Sequence, residues 1–93
     1  MWDFTEQKQY SFRNFYIPIR MMDGLERYIN HHVPPGDFLS AVIKNNLRAT
    51  IERADDENIA NLPAYIGFLY NEAPSQCWGS EQAFKNWINQ REV

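Results

Sequence analysis

Tyr65 to Ser80 reads YIGFLYNEAPSQCWGS, and the change of character along this stretch decides the fold. Its first half is an apolar run at helical spacing that stops at Ala73-Pro74, and Gly79-Ser80 at its end opens another helix. Between them lies a short loop carrying Cys77 and Trp78. Loops are normally polar and face solvent, so a Trp-Gly-Ser sequence there means either that the loop is buried or that it touches something.

Upstream, Ile59, Leu62, Ile66, Leu69 and Ala73 form the clearest apolar stripe in the chain. They predict a fourth helix, which Pro63 either kinks or breaks after Asn61-Leu62. Leu47, Thr50, Ile51 and Ala54 predict a short third helix, and Phe38, Leu39, Val42 and Ile43 a second one capped by Asp37. Asn45-Asn46 separates these two, because asparagine tolerates left-handed geometry and also caps helix starts. A first helix over about residues 18–31 begins at Pro18, carries Met21, Gly24, Leu25, Tyr28, Ile29 and His32 at three-and-four spacing, and is stopped by Val33-Pro34-Pro35-Gly36. Downstream, Ser80 caps a last helix whose buried side is Phe84, Trp87 and Ile88.

Nothing in residues 17–93 alternates like a strand. The expected fold is all-α: a compact bundle of about five short helices forming one domain over residues 17–93, preceded by an irregular or extended aromatic arm over residues 1–16. Trp2, Phe4, Tyr10, Phe12, Phe15 and Tyr16 load that arm with rings. So much aromatic surface does not stay in water, so the arm packs on its own domain or on a neighbouring subunit.

Composition narrows the function classes. A chain of 93 residues buries only somewhat over ~60% of its unfolded surface, so assembly into a homo-oligomer is a natural supplement to its stability. The net charge of −3 argues against non-specific nucleic-acid binding, which needs many Lys and Arg contacts to phosphates. One cysteine permits no internal disulfide and suits a reducing cytoplasm. The amino-terminal residues lack the apolar core of a signal peptide, and no run approaches the ~20 apolar residues of a membrane span.

No catalytic motif, metal centre or cofactor site is expected. His31 and His32 are adjacent on a helix end, so their side chains diverge and do not share a metal. Asp55, Asp56 and Glu57 are explained by a helix start without any cation. Cys77 has no base placed beside it by the sequence and reads as a small buried hydrophobe. What remains is a set suited to an anionic ring-bearing ligand. Trp78 offers a face for stacking beside a helix amino end, Ser80 and the backbone there favour a phosphate, and Asn71 adds an amide. Arg20 and Arg27, seven apart on one helix face, supply guanidinium forks, with Tyr28 as a second ring and His31 as a further anion contact. The ordinary alternatives are that Trp78 plugs the core and that the arginines are solvated.

The blocks IPIRMMDGLERYI (17–29), PPGDFLSAVIKNNL (34–47), RADDEN (53–58) and FLYNEAPSQCWGS (68–80) resemble a family of small tailed-phage accessory proteins, over about residues 17–88. His32 stands where those proteins usually carry glycine. The resemblance implies a role in the host cytoplasm as an anti-defence factor. Two functions are then expected in turn: an oligomeric sponge that sequesters a small phosphorylated nucleotide signal through Trp78, Ser80, Arg20, Arg27, Tyr28, His31 and Asn71, or a protein inhibitor of a host defence protein.

Overall fold

Three asparagines and an aspartate punctuate the middle of the chain in the computed structural model, which describes residues 2–91. Asn45 adopts a left-handed φ of 60°, and Asn46 turns its side chain back to accept the Ala49 N–H at 3.1 Å, so α2 (Asp37–Ile43) ends and α3 (Leu47–Arg53) begins within three residues. Asp55 accepts the Asn58 N–H at 2.8 Å and starts α4 (Asp56–Ala60). Asn61 then separates α4 from α5 (Leu62–Glu72), and Pro63 lies in the first turn of α5, where its missing N–H removes no helical hydrogen bond. Proline therefore marks a break here and not a kink.

The other helices are α1 (Ile19–His31) and α6 (Glu81–Ile88), with a single 3₁₀ turn at Ser75–Cys77. Ser80 caps α6 by accepting the Ala83 N–H at 3.0 Å. Asp37 differs from its expected place: Gly36 is the cap of α2, and Asp37 lies in the first turn paired with Arg53 at 3.3 Å. The fold is all-α apart from a two-stranded hairpin in the first sixteen residues, β1 (Ser11–Phe12) and β2 (Phe15–Tyr16), with Ser11 opposite Tyr16 and Phe12 opposite Phe15.

Phe68 on α5 is the hub of the core. The rings of Trp2, Phe4 and Tyr10 surround it at centroid distances of 5.2–6.0 Å, mostly edge to face, and Trp2 and Tyr10 are 5.4 Å apart. The rings of the first sixteen residues thus rest on this chain's own α5. Phe12 lies over Gly67, with ring carbon 2.7 Å from the point a Cβ at that position would occupy. Hydrogen bonds reinforce the seam, since the Tyr16 N–H donates to Asn61 Oδ1 at 3.0 Å and Asn61 Nδ2 donates to the Glu57 carbonyl at 3.0 Å. The radius of gyration, 12.3 Å, is that of a closely folded chain of this length, about 12 Å.

The predicted stripe on the fourth helix is corrected. Ile59 and Ile66, expected inside, are each 44% exposed, and the buried residues of α5 are Ala64, Tyr65, Gly67, Phe68 and Leu69. The stripe assumed one continuous helix from Ile59 to Ala73. The interruption at Asn61 resets the rotation, and the large aromatic pair Tyr65 and Phe68 takes the inner face.

Candidate functional site

The loop after α5 is tied down from both sides. Tyr28 of α1 donates its hydroxyl to the Cys77 carbonyl at 2.6 Å, and the Gly79 N–H donates to the Ile43 carbonyl of α2 at 2.8 Å. Gly79 sits at φ 107°, which any side chain would strain. Trp78 is half-buried against the core, whereas Cys77 is fully buried and its thiol is pushed up to about 11 by burial. A thiol held protonated in an apolar setting is a packing group, not a nucleophile.

Tyr28 is equally enclosed: none of it is exposed, its ring stacks on Phe84 at 5.4 Å, and burial raises its phenol above the ordinary range. The expected stacking role is corrected, because this ring has no face left for a ligand. Arg20 is engaged by two carboxylates, Asp55 at 3.0 Å and Glu57 at 3.1 Å, so its fork is occupied within the chain. Ser80 spends its hydroxyl on the α6 cap. Arg27, His31 and Asn71 are exposed. A groove of about 330 Å³ between the amino-terminal segment and α1 is lined by Phe4, Lys8, Met22, Asp23 and Glu26 among others and includes none of the seven expected residues. Asn71 alone lines a shallow depression with Glu72, Ala73 and Pro74.

His32 caps α1 with φ 60° and ψ 32°, the left-handed conformation that glycine adopts most cheaply. Its ring offsets that cost. Nδ1 lies 2.8 Å from the Trp87 carbonyl and the two rings are 4.6 Å apart, while Trp87 Nε1 donates to the Tyr28 carbonyl at 2.8 Å. His32 therefore ties α1 to α6 as a structural residue.

The Arg20 cluster joins three elements, since Tyr16 of β2 also donates its hydroxyl to Glu57 at 2.8 Å. Asp55 is held below its ordinary 3.8 by the Asn58 N–H and by Arg20, and Glu57 below its ordinary 4.5 by the Tyr16 hydroxyl and by Arg20. Both carboxylates bind protons less readily when folded, so their stabilising effect is present above those ordinary values and is lost as pH falls through the lowered ones. Thermal melts from neutral pH to about pH 3 should show wild type more stable than Glu57→Gln at neutrality, with the gap closing below pH 4.5. A constant gap down to the acid end would remove Glu57 from the joint.

A different surface stands out from the charges and the exposures together. No charged residue occurs from Asn58 to Asn71. On α5, Ile66 and Tyr70 lie one turn apart and are 44% and 78% exposed; on α3, Leu47 and Ile51 lie one turn apart and are 70% and 50% exposed. A small groove of about 40 Å³ lies between Leu47 of one pair and Ile66 of the other, lined also by Val42, Asn45, Asn46, Thr50 and Leu62. Ile59 adds another exposed isoleucine on α4. Sequence reasoning placed Ile59 and Ile66 on the stripe of the fourth helix and Leu47 and Ile51 on the third, and missed the face. The uncharged run was the available signal, since the inner side of one short helix cannot absorb so many apolar residues.

Comparison with known proteins identifies no relative: no family model, curated protein or solved structure matches the chain. Among the described residues, no helix is long and apolar enough to cross a membrane.

Proposed function

We propose that the protein is a non-catalytic interaction domain that binds another protein through the α3–α5 face. The observation that carries this is the uncharged double ridge of Leu47, Ile51, Ile66 and Tyr70 beside the Leu62 groove. Protein interfaces differ from ordinary surface by depletion of charge at their centre and by enrichment in aromatic anchors, and Tyr70 at 78% exposed is such an anchor. In the phage setting implied by the sequence resemblance, the partner is a host defence protein.

The nucleotide-sponge alternative receives less support from the geometry, because Tyr28 is enclosed, Arg20 is ion-paired and Ser80 is spent on its helix. A comparison of capture from host lysate by wild type, Ile66→Arg and Arg27→Ala separates the two. The partner should be retained by Arg27→Ala and reduced at least about tenfold by Ile66→Arg, the effect of losing one central contact. Capture unaffected by Ile66→Arg overturns the face. Calorimetric heat with a nucleotide, abolished by Trp78→Ala in a protein that stays folded, would instead establish the sponge.

A further inference from the structure

The groove between the amino-terminal segment and α1 has two walls that are built separately. On one side the Gln7 N–H donates to the Asp3 carbonyl at 2.9 Å, and the Asp3 carboxylate accepts the Thr5 N–H at 2.9 Å and the Thr5 hydroxyl at 2.6 Å. Residues 3–7 thus close into a turn of their own. Phe4 fixes that turn on the core through Phe68, with ring centroids 6.0 Å apart. Among the described residues, no hydrogen bond or ion pair crosses from this turn to α1, so the space between the walls is open. Its volume of about 330 Å³ falls within the range of small-molecule sites, about 300–1,000 Å³.

The other wall is a single face of α1. Ile19, Met22, Asp23 and Glu26 stand at i, i+3, i+4 and i+7, so the helix presents apolar and acidic side chains together. Met22 is buried and Phe4 half-buried, and Ile19, 61% exposed, continues the apolar surface at the amino-terminal end of the stripe. Asp23 and Glu26 are neighbours on this face, Glu26 is half-buried, and neither has an ion-pair or hydrogen-bond partner among the described residues. Like charges at this spacing repel, and a cation set between them relieves the repulsion. The chain's own cations are directed elsewhere. Arg20 is taken by Asp55 and Glu57, and Arg27, one turn on from Asp23, is not paired with it and does not line the groove. Lys8 acts within its own turn, since Asp3 is held below its ordinary 3.8 chiefly by the Thr5 hydroxyl and in smaller part by the Lys8 charge.

We propose that this groove binds an amphipathic cation, an ammonium group on an apolar stem, with the charge between Asp23 and Glu26 and the stem along Phe4, Met22 and Ile19. An ammonium has three N–H donors and can bond both carboxylates at once. A free alkylamine and a lysine side chain share this chemistry. The site is separate from the α3–α5 face and stands or falls without it. Lys8, the one like charge on the lining, opposes the ligand and limits its affinity.

The test is a titration of the full chain with hexylammonium at low salt, followed through the backbone amide resonances of residues 4–8 and 19–26. Binding with Kd of about 1 mM is expected, the strength of a small ligand held by exposed charges and one apolar wall. Asp23→Asn and Glu26→Gln should each raise Kd about threefold and together about tenfold, the size of two exposed ion pairs. Lys8→Ala should lower Kd, and Glu52→Gln on α3 should leave it unchanged. Hexanol should bind about tenfold more weakly, hexanoate not at all, and added salt should weaken hexylammonium. A blocked peptide with one lysine, compared with hexylammonium, tells which source of the ammonium group the groove favours. The amide spectrum of each variant establishes that it is folded. Resonances of the groove unmoved by hexylammonium overturn the site, and so does a Kd that is equal for hexanol or indifferent to the double change at Asp23 and Glu26. A higher Kd in Lys8→Ala also overturns it, because the ligand would then be using Lys8 as a partner.

Discussion

Phe68→Ala is expected to unfold the protein or to cost about 3–5 kcal/mol, the range for truncating a buried aromatic. Phe68 has no exposed surface and touches the rings of Trp2, Phe4 and Tyr10, so its removal leaves a cavity bounded on several sides by residues of the amino-terminal segment. Those rings are on the irregular segment that leads into the short hairpin, with little secondary structure of its own to hold them. A hairpin this small is marginal in isolation, and its order derives from what it covers. Urea unfolding followed by tryptophan fluorescence measures the loss, and amide exchange of residues 10–17 should rise with it. A loss below about 1 kcal/mol, less than the about 1.5–3 kcal/mol that burial of the ring's area alone contributes, would show that Phe68 is not the hub of the core.

Gly67→Val is expected to cost about 2–3 kcal/mol, with the damage confined at first to the hairpin. Its Cβ would stand 2.7 Å from Cγ and 2.8 Å from Cδ1 of Phe12, closer than packed carbons come. The nearest atoms are at the root of the Phe12 ring, where rotation of the ring gives little relief, so the clash is relieved by β1 lifting from α5. Valine is the better helix former by about half a kcal/mol, which offsets only part of the clash. The specific readout is rescue: Phe12→Ala combined with Gly67→Val should cost less than the sum of the single changes, since Phe12→Ala removes the ring that the valine would strike. Strictly additive losses would place the strain elsewhere.

The breaks between helices were legible because the residues that make them act locally. Asn45 and Asn46, Asp55, Pro63 and Ser80 all do in the structure what their side chains do in any short peptide: adopt φ > 0, accept a nearby N–H, or dispense with one. The orientation of the helices was not legible from the same chain. Ile59 and Ile66 fit one stripe only if α4 and α5 are continuous, and the interruption at Asn61 sends both outward. The expected ligand set suffered from the same limit. Tyr28 and Trp78 are both rings near a loop, yet Tyr28 is sealed against Phe84 with its hydroxyl on the Cys77 carbonyl, while Trp78 keeps part of its surface.

Trp87 and His32 at the α1–α6 junction show where local and global control divide. A left-handed residue after α1 is foreseeable from the proline-rich turn that follows it, and glycine would serve there. That His32 can serve instead depends on Trp87 arriving from fifty-five residues further on, with its carbonyl 2.8 Å from the imidazole. By itself, then, the sequence determined most of the helix breaks and that the fold is helical over residues 17–91, while leaving open whether Pro63 kinks or ends a helix. Tertiary structure decided which apolar residues are core and which form the Leu47–Tyr70 face, because burial is settled by competition among all the side chains for one interior, and aromatic rings from the amino-terminal segment won that place on α5.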